Sequence, residues 1–265
     1  MPNVRLVLEY DGRRFKGWQA QPGVRTIESE LEKALQMVLR VPVHPIWSAG
    51  RTDAGVHARR QVVNFRFETV PNLFRLCHAV SNIMKGDLAV VAADVVPDDF
   101  HSRHSAIAKQ YSYTILNRPM PPVLDKGKVW HVSRPLDIEQ LRRDAAVLVG
   151  EHDFTSFRGA RCSSRTAVKT IFESAIEVSG PYVVYRVVGS GFLKQMVRAI
   201  VGTLVYLNRD LLTLKTMQEV LDARSRQLAG VTAPPQGLCM DWVKYQPQFA
   251  EPSVPKAEDY DPAEV

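Results

Sequence analysis

The segment Gly50-Arg51-Thr52-Asp53-Ala54-Gly55-Val56-His57-Ala58-Arg59-Arg60-Gln61 crowds an aspartate, a histidine, three arginines and two glycines between regular, apolar flanks. Glycine admits tight backbone turns, and short Asp and Thr side chains bond to nearby amides. Asp53 therefore has two readings. As a turn residue it needs no chemistry at all. As a carboxylate nucleophile among cations it can attack an electrophilic carbon and form a covalent adduct. That role requires the ionised form, and a guanidinium such as Arg51 favours it, lowering an Asp pKa by roughly one to three units. A lone aspartate does not suit chemistry that needs paired carboxylates.

Four further features carry chemistry or its absence. Tyr111 and Tyr113 alternate, as on an ordinary strand face, yet a tyrosine ring is also a surface for a nucleobase. Arg198 lies off the apolar stripe of its helix, where an arginine is usually solvated. Gly189-Ser190-Gly191 is not a dinucleotide fingerprint, because Lys194 stands in the place of the third glycine. His44, His57, His78, His131 and His152 are dispersed and show no metal-ligand spacing.

The elements that must position these residues are legible from periodicity. Residues 4–10 alternate as a half-buried strand. Thr26 caps a helix whose apolar stripe is Ile27, Leu31, Ala34, Leu35, Val38 and Leu39. Strands are expected over 61–67 and 88–96, with a helix over 72–84. The second half continues with a strand at 109–116 and a helix from Asp137. Two strands at 171–178 and 182–189 are joined by Ser179-Gly180-Pro181. Helices follow from Phe192 to Leu207 and from Leu214 to Arg224, and a last strand runs from Leu238 to Tyr245. Each half reads strand–helix–strand–strand–helix–strand, with extra pieces in the second. The expected fold is α+β: two pseudo-repeated ferredoxin-like halves, a mostly antiparallel, mixed sheet, and flanking helices. The expected division is 1–105, carrying the Asp loop, then 106–245, then an acidic, Pro-rich tail over 246–265 without fixed structure.

The chain has 265 residues, 45% hydrophobic and 23% charged, which suits a folded globular protein. Cys77, Cys162 and Cys239 lie too far apart in sequence for a disulfide scaffold or a Cys-paired zinc site. They fit a reduced, cytoplasmic compartment. No apolar run approaches the ~20 residues of a membrane span, and the start of the chain reads as a strand rather than a signal peptide. The net charge is +6, and the tail over 246–265 is −4, which leaves +10 on the body. Acid-free stretches hold Arg103, Lys109 and Arg118; Arg158, Arg161, Arg165 and Lys169; and Arg186, Lys194, Arg198 and Arg209. Such patches attract polyanions, nucleic acid first.

The run Gly50-Arg51-Thr52-Asp53-Ala54-Gly55-Val56-His57-Ala58 resembles the signature of the tRNA pseudouridine synthase A family. Other matches follow in order: Phe100-His101-Ser102-Arg103-His104-Ser105-Ala106, Lys109-Gln110-Tyr111-Ser112-Tyr113, Phe154-Thr155-Ser156-Phe157-Arg158, Gly191-Phe192-Leu193-Lys194-Gln195-Met196-Val197-Arg198 and Ala233-Pro234-Pro235-Gln236-Gly237-Leu238. The resemblance covers about residues 3–245. It implies an isomerase that converts uridine to pseudouridine at positions 38, 39 and 40 of the tRNA anticodon stem-loop, with no cofactor and no metal, as a homodimer. Asp53 matches the catalytic aspartate. Arg51 resembles the residue that helps flip the target base, a step that costs a few kcal/mol in a stacked duplex. Tyr111 matches the tyrosine that packs on the uracil. Arg198 matches the arginine that pairs with the aspartate. His101, Arg103, His104, Arg161, Ser163, Ser164 and Arg165 look like contacts to the RNA backbone. The departures are His104 where an aromatic is usual, Lys109 where Arg is common, and Cys162-Ser163-Ser164-Arg165-Thr166 in place of the usual Cys-Gln…Thr-Pro pattern. A non-catalytic RNA-binding module of the same fold, or an aspartate-based hydrolase, are the competing classes. The hydrolase would want a second acid, a base or a metal cluster near Asp53.

Overall fold

Alternating apolar residues make Asn3–Tyr10 a strand (β1), but the strand is buried on both faces rather than half-buried. Val4, Leu6 and Leu8 form one row of the core. On the other face, Val7 packs with Ala49, Val62, Ala92, Val96, Phe100 and Phe249. Arg5 is buried there too, and Asp94 compensates it by accepting from Nε at 2.8 Å and from Nη2 at 2.5 Å. The Phe100 ring lies 5.2 Å from the same guanidinium. A buried cation is tolerable only with such partners.

In a computed structural model, residues 1–249, 251, 252 and 256 are described. The chain divides into two units: Met1–Ile107 with Met240–Val265, and Ala108–Cys239. In the first unit, β1 is followed by α1 (Ile27–Leu39), β2 (Trp47–Ser48), β3 (His57–Arg66), α2 (Leu73–Ile83) and β4 (Leu88–Val96). This is the expected strand–helix–strand–strand–helix–strand order, and its third element is a two-residue strand too short to show a period. The strand order is β4-β1-β3, with β2 on β3. The β1 pairings with β3 and β4 are both antiparallel. Thr26 and Ser29 close a capping box on α1, worth about 1 kcal/mol. Its buried residues Ile27, Leu31, Ala34 and Leu35 keep helical spacing.

The second unit contains β5 (Ala106–Asn117, which begins just before it), β6 (Trp130–Val132), α3 (Ile138–Ala146), β7 (Gly150–Asp153), β8 (Val168–Ser179), β9 (Tyr182–Gly189), α4 (Met196–Asn208) and α5 (Met217–Asp222). Its strand order is β5-β9-β8-β7, and β6 joins β5 in parallel. The other pairings in this unit are antiparallel. Both units are α+β and mostly antiparallel, and the parallel pair β5–β6 belongs to the second unit.

Four sequence expectations are adjusted. The last strand, β10 (Leu238–Tyr245), lies beside β3 and from Met240 onward clusters with the first unit rather than with 106–245. Tyr245 Oη there donates to Ser102 O at 2.8 Å. At the start of the tail, Phe249 is buried against Phe100, with ring centroids 5.1 Å apart, because the outer face of β1 needs an apolar cover. Most of the tail expectation falls outside the described residues. The helix expected from Phe192 begins at Met196, because the backbone of Lys194 is used elsewhere: its carbonyl accepts from Gly159 N at 2.9 Å and its amide donates to Cys162 Sγ at 3.5 Å. The helix expected over 214–224 is trimmed to α5 by a capping box between Thr216 and Glu219.

Candidate active site

Asp53 sits half-buried in the irregular stretch between β2 and β3. The turn is closed by main chain, Val56 N donating to Asp53 O at 3.1 Å, and Gly55 takes a φ of 82°. That bond is made by the main chain of Asp53 and does not use its carboxylate.

The loop is clamped from a direction the sequence reading missed. Trp18 N donates to Thr52 O at 3.0 Å. The Tyr10 hydroxyl and Thr52 Oγ1 share a hydrogen bond of 2.9 Å. Gln61 Nε2 donates to Gly50 O at 2.6 Å. Two glycines admit the close approach: a Cβ on Gly12 would lie 2.0 Å from Val56 O, and one on Gly17 (φ 93°) would lie 3.0 Å from Thr52 O. Between Leu8 and Tyr10 the partners on β3 jump from Gln61 to Ala58, a bulge directly beside the loop. Bulges at strand ends re-aim side chains next to active sites. Residues 57–60, expected as part of the loop, already belong to β3. The anchoring residues Tyr10, Gly12, Gly17 and Trp18 are separated from Asp53 by 35 residues or more, so no local pattern links them to the loop.

His57 Nδ1 accepts from Gly12 N at 3.3 Å and lies 3.4 Å from Asp11 Oδ1. Burial raises the Asp11 pKa, but hydrogen bonds from Arg13 and the nearby His57 outweigh it, and the carboxyl ends below its ordinary value. Arg51 is exposed.

The loop over 100–105 gathers His101, Arg103 and His104. Its backbone is pinned from beneath: Asn3 Nδ2 donates to Phe100 O at 2.9 Å, Ser102 N donates to Asn64 Oδ1 at 2.9 Å, and Ser102 Oγ donates to Trp47 O at 2.7 Å. The rings of His101 and His104 stand 4.3 Å apart, while Arg103 and His104 are exposed. Burial, followed by the charges of His104 and Arg103, lowers the His101 pKa. Its Nδ1 accepts Arg103 N at 3.0 Å, which suits a neutral ring.

In the second unit Tyr111 is buried on β5 opposite Val187, with its ring edge-on to Phe192 at 5.1 Å and 80°. Tyr113 is fully buried, donates Oη to Pro234 O at 2.7 Å, and burial pushes its pKa well above the usual tyrosine value. The two tyrosines thus differ, Tyr113 being core and Tyr111 a ring held by an aromatic neighbour. Arg198, half-buried in the first turn of α4, donates Nε to Ala233 O at 2.7 Å, and Ala233 N returns a bond to Arg198 O at 3.0 Å.

Arg161, Ser163, Ser164 and Arg165 share one loop. Arg158 organises it by donating Nη2 to Cys162 O at 3.0 Å and to Ser164 O at 2.6 Å. Arg161, Ser163 and Arg165 are exposed, and Ser164 Oγ is turned to Thr166 O at 2.9 Å. Burial raises the Cys162 thiol pKa, but hydrogen bonds from the Lys194 and Ser164 amides and from Arg158 outweigh it, leaving a net lowering. Among the described residues no cluster of three or more His, Cys, Asp or Glu could hold a metal ion, and no helix is long and apolar enough to cross a membrane.

A family model described as tRNA pseudouridine synthase matches residues 145–246. A protein named tRNA pseudouridine synthase A from Syntrophotalea carbinolica is 41% identical over 94% of this chain and 98% of its own length. One of that name from Salmonella newport is 42% identical over 95% of this chain and 93% of its own. Another from Thermoanaerobacter sp. (strain X514) is 38% identical over 92% and 100%. The chain belongs to the tRNA pseudouridine synthase A family.

The family model begins beyond the Asp53 loop, so the near full-length relatives are what extend membership to the first unit. A solved Cbf5–Nop10–Gar1 complex aligns at a TM-score of 0.33 and 11% identity over 89% of this chain and 57% of that one, too distant to add to the assignment. Within a pseudouridine synthase of this family, the departures at His104 and Lys109 fall on an exposed loop residue and a half-buried strand residue.

Proposed function

We propose that this chain is a tRNA pseudouridine synthase that isomerises uridine at positions 38, 39 and 40 of the anticodon stem-loop. The observation that carries the reading is 38–42% identity over nearly full length to proteins of that name. The reaction breaks the N1–C1′ bond, turns the uracil, and joins C5 to C1′. C5 loses a proton and N1 gains one, so no electron or group leaves for another molecule and the reaction itself demands no cofactor.

Asp53 is the nucleophile. A carboxylate on a clamped loop loses little freedom when it meets the nucleoside, which is the advantage of a preorganised group. Arg198 is its counter-charge, and a guanidinium keeps a carboxylate ionised at neutral pH. Tyr111 packs on the uracil, with Phe192 holding the ring at its angle. Arg51, exposed at the loop's shoulder, drives base flipping: a flat guanidinium stacks and bonds phosphate together. His101, Arg103, His104, Arg161, Ser163, Ser164 and Arg165 contact the RNA backbone. Both loops present exposed arginines, and contacts from such cations to phosphate position an RNA without reading its bases. The enzyme works as a cytoplasmic homodimer.

The reading is tested with unmodified tRNA transcript carrying tritium at C5 of uridine. Isomerisation releases that tritium to water. Release stoichiometric with one to three uridines per tRNA is expected. Tight binding without release would mark an RNA-binding module instead.

A further inference from the structure

Arg226 belongs to none of the motifs above, yet it holds the segment that Arg198 leans on. Residues 229–234 run across α4 as a strap. Gly230 N donates to Thr203 Oγ1 at 3.0 Å, and that hydroxyl donates to Ala199 O at 2.8 Å. Strap and helix meet backbone to backbone: a Cβ on Gly202 would lie 1.7 Å from Val231 O, and one on Gly230 would lie 2.7 Å from Gly202 O. Arg226 ties the strap from its other side, donating Nη1 to Gly230 O at 2.7 Å and Nη2 to Thr232 Oγ1 at 2.8 Å. The next residue is Ala233, fully buried, whose carbonyl accepts Arg198 Nε.

We propose that Arg226 is a positioning residue for the isomerisation: its two forked hydrogen bonds fix the strap, and the strap aims the Arg198 guanidinium through the Ala233 carbonyl. The inference rests on the reading of Arg198 given above. An arginine side chain has four rotatable torsions, and the bond from Nε to the Ala233 carbonyl is one constraint on the plane of the head group. A displaced Ala233 carbonyl would re-aim that plane, and misplacement by about 1 Å can cost on the order of a hundredfold in rate. Arg226 itself is half-buried, and burial lowers its pKa, so the cation sits there at a cost that only its acceptors offset. Lysine cannot reproduce a fork to two acceptors.

The test is single-turnover kinetics on tRNA transcript with four proteins: Arg226→Gln, Thr232→Val, Arg198→Lys and the double variant Arg226→Gln/Arg198→Lys. Arg226→Gln is expected to slow the chemical step by about ten- to a hundredfold while tRNA affinity stays within about twofold. The double variant is expected to be no slower than Arg198→Lys, because residues acting as one unit are not additive. A double variant whose losses multiply would overturn the proposal while leaving Arg198's role intact. An unimpaired Arg198→Lys would overturn that role and the proposal together. Equal loss of affinity and rate in Arg226→Gln would make Arg226 an RNA anchor or a general support and also overturn it. If Arg226→Gln does not fold, Thr232→Val, which removes one acceptor of the fork, decides in its place, alone and combined with Arg198→Lys, by whether the two losses multiply.

Discussion

Gly12 and Val56 meet backbone to backbone, so closely that a Cβ on Gly12 would stand 2.0 Å from the Val56 carbonyl oxygen. Val56 closes the turn that begins at Asp53. The contact is therefore the clamp on the proposed nucleophile seen from behind. Gly12→Ala must push the loop or the strand end away. It should destabilise the protein by about 1–3 kcal/mol and reduce turnover further than that loss explains. A urea midpoint with a parallel single-turnover assay checks both. A variant with unchanged midpoint and rate would show that the clamp is not needed.

Tyr111 and Tyr113 should separate by substitution. Tyr111→Phe keeps the ring against Phe192 and should retain tRNA affinity, whereas Tyr111→Ala should lose about 1–3 kcal/mol of it. Tyr113→Phe removes the bond to Pro234 and should cost about 1 kcal/mol of folding stability with little effect on affinity. A Tyr111→Ala variant that binds tRNA as well as Tyr113→Phe does would contradict the assignment of Tyr111 to the uracil.

Arg51 and the outer arginines should differ in kind. Arg51→Ala should hurt turnover more than affinity, because flipping follows binding. Arg103→Ala, Arg161→Ala and Arg165→Ala should weaken affinity and each lower the salt slope of binding by about 1. Filter binding over a salt series measures the slope. A flat profile for the parent protein would contradict backbone recognition.

Stability should fall in acid for a stated reason. Asp153 is held below its ordinary pKa first by the Thr155 hydroxyl, and Asp11 is held low because the Arg13 hydrogen bonds outweigh its burial. The unfolded chain therefore binds more protons at these sites as pH falls through about 4. Their contribution is present above that range and is lost below it. His101, lowered first by burial, acts in the same direction below about pH 6.5. Urea midpoints between pH 7 and pH 3 should fall, and Asp11→Asn with Asp153→Asn should flatten the acid limb. An unchanged slope in the double variant would contradict the assignment.

The strands and helices with a clear period were legible in the sequence, from the β1 alternation to the stripe of α1. Short elements were not: β2 spans two residues and β6 three, too few to show a period. The start of α4 shifted because tertiary bonds to Lys194 outweigh helical spacing, and periodicity contains no such information. The Asp53 loop stood out by composition. Its clamp did not, because Tyr10, Gly12 and Trp18 act through a close approach of chain segments far apart in sequence. Arg226 was silent for the same reason: its partners are main-chain carbonyl and hydroxyl groups that only the folded strap brings within reach.

The most direct test of the account is a map of pseudouridines in unmodified tRNA after incubation with the parent protein and with Asp53→Asn. The account predicts pseudouridine at positions 38–40 with the parent, none with Asp53→Asn, and similar tRNA affinity for both. Pseudouridine formed by Asp53→Asn at the parental rate would contradict it.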